Sequence, residues 1–221
     1  MEKLDRMVRE VESQVRRMGA ATGKEVLDDR VIDALREVPR HEFVPASMLP
    51  LAYENEPLPI GNGQVVPQPY LVALMTDLLR LRSDDVVLEV GTGTGYHAAV
   101  LSRLAKKIYS VEINRDMAET AAQRLRRLGY GNVEVCIGNG YFGWRAGAPY
   151  DAILVTAATD EIPPRLLDQI GAGGRMVIPV NHSNFGQDLL LVEKGRSGGV
   201  STREIMPVSF APLVSAVGGY S

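Results

Sequence analysis

The chain has 221 residues, 45% of them hydrophobic and 23% charged, a globular composition with enough length to bury a substantial core. Its formal net charge of −3 argues against a dedicated nucleic-acid binder, which carries a basic surplus. The single cysteine, Cys136, excludes an intramolecular disulfide and a cysteine-rich zinc site.

The opening residues, MEKLDRMVREVESQ, are too charged for a signal peptide. No apolar run approaches the ~20 residues of a membrane span, so no membrane partner and a cytoplasmic location are expected. Residues 2–18 read as an amphipathic helix, with Leu4, Met7, Val8, Val11, Val15 and Met18 at helical spacing. Asp28 to Val38 reads as a second helix, stopped by Pro39. Prolines at 45, 50, 57, 59, 67 and 69 make regular structure unexpected over 43–69, while Phe43, Leu51, Tyr53, Leu58 and Ile60 suggest that the stretch is packed. Leu71, Leu74, Met75, Leu78 and Leu79 then form one helical stripe.

From there short apolar runs alternate with helical segments. Strands are expected at Val86–Val90, Lys107–Glu112, Val133–Ile137, Asp151–Val155 and Arg175–Val180. Helices are expected from Tyr96 to about Ala105, over Asp116–Leu128 and over Pro164–Ile170. This alternation predicts an α/β fold: a doubly wound, mostly parallel sheet, Rossmann-like, preceded by an N-terminal helical extension. The last two strands, Leu189–Glu193 and Glu204–Phe210, are joined by KGRSGG with no helix between, so they form an antiparallel C-terminal hairpin.

The segment VLEVGTGTGYHAAVLSRL carries the chemistry. A strand ends at Val90, Gly91, Gly93 and Gly95 follow, and a helix begins near Tyr96. Glycine lets backbone turn tightly and approach a ligand, and ligands of open α/β sheets sit beyond the strand's carboxyl end. A dinucleotide fingerprint places its third glycine where this chain has Tyr96, which argues against the close helix–strand packing that glycine permits. Glu112 ends the next strand, where a carboxylate accepts from both hydroxyls of a ribose. Glu89, two residues before Gly91, is a candidate partner for an ammonium, directly or through water. Together with Thr92 and Thr94 these residues favour S-adenosylmethionine over a nicotinamide or flavin dinucleotide. His41, His97 and His182 are scattered and lack a carboxylate cluster, so no metal is expected. His97 reads as a partly buried polar contact, and His182, after IPV, as a candidate border of the substrate pocket.

Over about Val38 to Val214 the chain resembles the protein-L-isoaspartate O-methyltransferases. The likeness rests on VPRHEFVP, AYENEPLPIGNGQ, VLEVGTGTGYHAAVL, YSVE, GNGYFG, YDAILVTAA, GGRMVIPV and VSFAPLV, in that order. General methyltransferases share the glycine loop but not PLPIG or VTAA. The resemblance implies one methyltransferase domain over 1–221. Residues 1–69 would give N-terminal helices and a substrate-side segment, and 70–221 the cofactor-binding core. It implies S-adenosylmethionine held by Gly91 to Gly95 and Glu112, with Asn139 and Gly140 against its adenine and Gln187 reaching it from the far side. It implies methylation of the carboxylate that is released when aspartate isomerises, in damaged proteins or peptides.

Two departures stand out. The family reads T-I-S-Q-P after its Gly-Gln, and the serine hydroxyl is its proposed active-site group; here Val65, Val66, Pro67, Gln68 and Pro69 follow. No catalytic side chain is therefore assigned, and Val65, Val66, Pro67, Gln68 and His182 are expected to face substrate. The family's usual Asp is Asn139, whose amide oxygen still accepts from an adenine amino group. The expected activity is isoaspartyl carboxyl methylation. The alternatives are a methyltransferase for another carboxylate or a small molecule, and a module that holds the cofactor without turnover.

Overall fold

The computed structural model describes residues 2–61, 64–182 and 186–213. Val214, the last residue of the VSFAPLV segment, lies outside them. Helix α1 (Glu2–Thr22) buries Met7, Val8, Val11 and Val15 on the stripe its sequence predicts. Each such side chain contributes roughly 1.5–3 kcal/mol when fully buried. It packs on α2 (Asp29–Glu37), on α3 (Pro69–Leu79) and on the last strand. Asp28 caps α2 by accepting from the Arg30 amide. Helix α3 is buried almost all round, and its Asp77 accepts from the Asp28 amide at 2.7 Å and meets Lys24 Nζ at 2.5 Å. These contacts fix the N-terminal helices on α3, which sits directly before the glycine-loop strand in the chain.

The stretch 43–69 departs from the irregular chain that its prolines suggest. It holds a 3₁₀ turn over Ala46–Leu51 and a small antiparallel pair, β1 (Leu58–Gly61) and β2 (Gln64–Val66), in the register Leu58↔Val66, Pro59↔Val65 and Gly61↔Gln64. Proline is tolerated because this ribbon is only two strands wide, so each strand keeps a free edge.

The main sheet has seven strands in the order β5-β4-β3-β6-β7-β8-β9. They are β3 (Val86–Val90), β4 (Lys107–Glu112), β5 (Val133–Ile137), β6 (Tyr150–Val155), β7 (Ile170–His182), β8 (Gly186–Lys194) and β9 (Val200–Val208). β3 pairs in parallel with β4 and β6, β4 with β5, and β6 with β7; β8 and β9 run antiparallel, as the helix-free KGRSGG link predicts. Helices α4 (Tyr96–Ser102), α5 (Arg115–Arg127) and α6 (Pro164–Gln169) make three of the parallel connections, and the link from β5 to β6 holds two 3₁₀ turns instead. β7 begins earlier than Arg175 and β9 earlier than Glu204, because ladder bonds extend each strand past its apolar run. Cys136 is buried, as its apolar run predicts.

Consecutive connections run from β3 outward to β5 and then return to β6 on the other side of β3. That reversal leaves a crevice at the carboxyl ends of β3 and β6, where open α/β sheets place their ligands. No helix among the described residues is long and apolar enough to cross a membrane.

Candidate active site

A cavity of about 410 Å³ occupies this crevice, within the size range of small-molecule sites. Gly91, Thr92, Gly93 and Thr94 form one wall. Gly91 has φ +99°, and a Cβ there would stand 2.3 Å from Thr156 Oγ1, so only glycine fits. Thr156 Oγ1 donates to the Val90 and Gly91 carbonyls at 3.0 and 2.9 Å and locks the turn from β6. Gly93, at φ +54°, has open space where its Cβ would be, which lets a ligand approach the loop closely there.

Glu112 lines the same wall and is 6% exposed. Its Oε2 accepts from the Gly93 amide at 3.0 Å and its Oε1 from the Asn114 amide at 3.0 Å. A carboxylate offers about four lone-pair sites, so capacity remains for further donors from the cavity. Glu112 therefore both fastens the loop and faces the cavity.

Glu89 stands elsewhere. Its side chain is fully buried, and Glu89 is not part of the cavity wall. It is the register partner of Ser110 on β4, and the Ser110 hydroxyl donates to Glu89 Oε2. Ser110 Oγ in turn lies 2.6 Å from Thr92 Oγ1, which does line the cavity. Glu89 thus reaches the site only through Ser110 and Thr92. Burial pushes its carboxyl up to about 8, and its Oε1 has no partner among the described residues. The physical reason is strand alternation: Glu89 projects to the face opposite Leu88 and Val90, of which Val90 lines the cavity.

Two other expected contacts are occupied differently. Asn139 Oδ1 accepts from the Tyr141 amide at 2.9 Å and caps a 3₁₀ turn, so it is Gly140 that lines the cavity. A Cβ on Gly140 would stand 2.3 Å from Val90 Cγ1. Gln187 makes no wall: its Nε2 donates to the Phe210 carbonyl at 3.1 Å and its Oε1 accepts from the Phe210 amide at 2.6 Å. It pins the segment 209–213, whose residues do line the cavity. That segment is tied again where Ala158 donates to Ala211 O at 2.8 Å and accepts from Leu213 N at 2.7 Å.

On the opposite side the wall comes from the β1–β2 segment. Val65, Pro67 and Gln68 face the cavity, as expected, while Val66 is fully buried in the core. Gln14, on α1, also lines the cavity; sequence reasoning missed it, because a polar residue on an amphipathic helix carries no signal of a site. Gln14 Oε1 accepts from Asn55 Nδ2 at 2.8 Å and Gln68 Nε2 at 3.3 Å, and Asn55 Oδ1 accepts from the Tyr70 amide at 2.9 Å. His182 is half-exposed at the end of β7, 3.6 Å from Asp188 and away from the cavity. His97 is more buried than expected. It lines the cavity, its Nε2 lies 2.9 Å from Thr76 Oγ1, and burial drives its pKa down to about 3, so the imidazole is neutral.

The profile of the family described as Protein-L-isoaspartate(D-aspartate) O-methyltransferase matches residues 13–218. The chain belongs to this family. It is 56% identical over 208 residues to Protein-L-isoaspartate O-methyltransferase 2 of Syntrophobacter fumaroxidans, covering 94% of this chain and 84% of the relative. It is 57% identical to the protein of the same name from a Polaromonas species, covering 94% and 98%. A solved protein-L-isoaspartate O-methyltransferase superposes with a TM-score of 0.82 at 30% identity, over 96% of this chain and 67% of that one. A Plasmodium falciparum protein solved with S-adenosyl-L-homocysteine shares the fold at a TM-score of 0.73 and 20% identity, over 93% and 97% of the two chains.

Family membership and chemistry agree on the cofactor. Open space above Gly93, spare acceptor capacity on Glu112 and the apolar flank of Val111, Ile113 and Leu213 fit a nucleoside bearing an amino-acid tail.

Proposed function

We propose that the protein is a cytoplasmic S-adenosylmethionine-dependent carboxyl O-methyltransferase that acts on L-isoaspartyl residues of damaged proteins. The observation that supports it best is a single cavity with the Glu112-fastened glycine loop on one side and the family's PLPIG segment on the other. When bound, the cofactor supplies an activated methyl group on a sulfonium. A carboxylate oxygen takes that methyl, and the carbon–sulfur electron pair leaves with sulfur. The substrate carboxyl, with a pKa near ~4, is ionised at neutral pH and needs no general base.

The chain's work is therefore to orient and to exclude water. Glu112 would accept from the ribose hydroxyls, with the loop backbone that it fastens at Gly93 beside it. Gly140 leaves room for the adenine. Val65, Pro67 and the 209–213 segment make an apolar mouth that dries the reacting carboxylate. Gln68 and Gln14 supply the amide groups on that side.

The test is transfer of a radiolabelled methyl group to an isoaspartyl peptide and to its aspartyl twin. We expect label only on the isoaspartyl peptide, released as methanol by mild alkali. A base-stable product would overturn carboxyl methylation. A second reading is favoured by the absence of hydroxyls at Val65 and Pro67: the same reaction on another carboxylate. Cofactor binding with no label on either peptide would bring that reading forward.

A further inference from the structure

Arg40 is the largest fully buried side chain among the described residues, at 0% exposure. Burying a guanidinium is costly unless its donors are met. Here main-chain carbonyls meet both Nη groups, while Nε, also buried, has no partner among the described residues. Nη1 donates to Ala52 O at 2.7 Å and Glu54 O at 3.2 Å. Nη2 donates to Glu56 O at 3.0 Å and Pro67 O at 3.0 Å.

The positions of these acceptors carry the inference. Glu56 lies just before β1 and Pro67 just after β2, so one nitrogen joins both feet of the hairpin that forms the substrate-side wall. Ala52 and Glu54 lie on the approach to it. Leu58 and Val66 anchor the hairpin in the core, but its main chain makes few bonds of its own, since Pro57, Pro59, Pro67 and Pro69 donate no N–H and the described ladder spans three register pairs. A two-stranded hairpin alone is marginal in water. The guanidinium also lies over the Tyr96 ring, 5.7 Å from its centroid, and Tyr96 directly follows the glycine loop. Phe43, from the same 3₁₀ turn as Arg40, packs on Tyr96 at 5.6 Å between centroids.

We propose that Arg40 is a positioning residue that sets the substrate-side hairpin at a fixed distance from the glycine loop, and so controls peptide binding without touching peptide or cofactor. This rests on the proposed function for its kinetic arm only. Lysine keeps the charge but lacks the planar fork that reaches several carbonyls at once. Arg40→Lys should raise KM for an isoaspartyl peptide at least tenfold while changing the Kd for S-adenosyl-L-homocysteine less than threefold. Arg40→Gln, which buries no charge, should give the same split, with peptide KM raised and the Kd for S-adenosyl-L-homocysteine changed less than threefold. A folded variant with peptide KM within twofold of native, or a parallel loss of both affinities, overturns the proposal.

Hydrogen exchange reads the clamp without turnover. In the native protein the backbone amides of Leu58, Ile60, Gly61, Gln64, Val65 and Val66 should be protected far beyond a free hairpin; in Arg40→Lys they should exchange at least tenfold faster, with 86–112 unchanged. Unprotected amides there in the native protein overturn the clamp whatever the variants do. Absent methylation by the native protein, with these exchange results intact, would refute the proposed function and leave the clamp standing.

Discussion

At the glycine-loop end of the cavity, main chain is held by its sheet neighbours: Gly91 N donates to Val111 O at 2.9 Å, Thr156 N to Val90 O at 2.9 Å, and Glu112 closes on Gly93. At the hairpin end, the Arg40 side chain holds the Pro67 carbonyl across 27 residues, and Gln14 accepts from the Gln68 side chain across 54. The first arrangement joins neighbouring strands of one sheet, with Thr156 locking the turn across 65 and 66 residues. The second depends on side chains of the N-terminal segment. A fixed reagent thus meets a wall set by the sheet ladder, and a variable protein substrate meets one set by side-chain contacts outside the sheet.

The sharpest way to separate the two ends is pH. In the folded protein Glu89 titrates near about 8 against an ordinary 4.5, so the folded state binds more protons between those values. Stability from this group is full below the ordinary carboxyl pKa and falls as pH rises through the folded one. Urea unfolding of native protein should weaken progressively from pH 5 to 8, and Glu89→Gln should remove that part of the slope. Parallel slopes for the two forms would mean the Glu89–Ser110–Thr92 chain is not a buried proton store.

Next in size is Glu112→Ala, which removes the acceptor of the Gly93 and Asn114 amides. Calorimetry should show at least a tenfold loss of cofactor affinity, about 1.4 kcal/mol. Unchanged affinity in a folded variant would mean that the loop is held without its carboxylate.

The smallest effect belongs to the hairpin end. Val65→Thr with Pro67→Ser restores the hydroxyls and leaves the position-67 carbonyl for Arg40. A regained hydrogen bond to a charged group contributes about 1 kcal/mol or more, so kcat/KM on an isoaspartyl peptide should rise roughly fivefold to tenfold. No gain would show that the apolar wall already orients the substrate.

These contrasts also explain what was readable in the sequence. The sheet, its antiparallel edge, the glycine loop and Glu112 follow from periodicity, spacing and motif, and Val65, Pro67 and Gln68 from the family resemblance; the structure places all of these residues but Gly95 in the cavity wall. Glu89 was misplaced because adjacency to a loop does not say which face of the strand a side chain takes; its pairing with Ser110 decides that. Gln187 was misplaced because its partner, Phe210, is set by the β8–β9 register, which the sequence does not state. The Arg40 clamp was invisible for the same reason: carbonyl acceptors have no sequence signature.

Gln14 and Leu213 face one cavity, and Arg203 Nη1 of β9 reaches Thr22 O of α1 at 3.3 Å. During synthesis the first helix emerges long before the final strands that complete its wall. A nascent chain that stops anywhere before residue 213 therefore lacks part of the enclosure, even with the glycine loop already made. Methyl transfer in this architecture is a property of the finished polypeptide, so a ribosome-stalled or C-terminally clipped product carries the cofactor motif without the chamber that would use it.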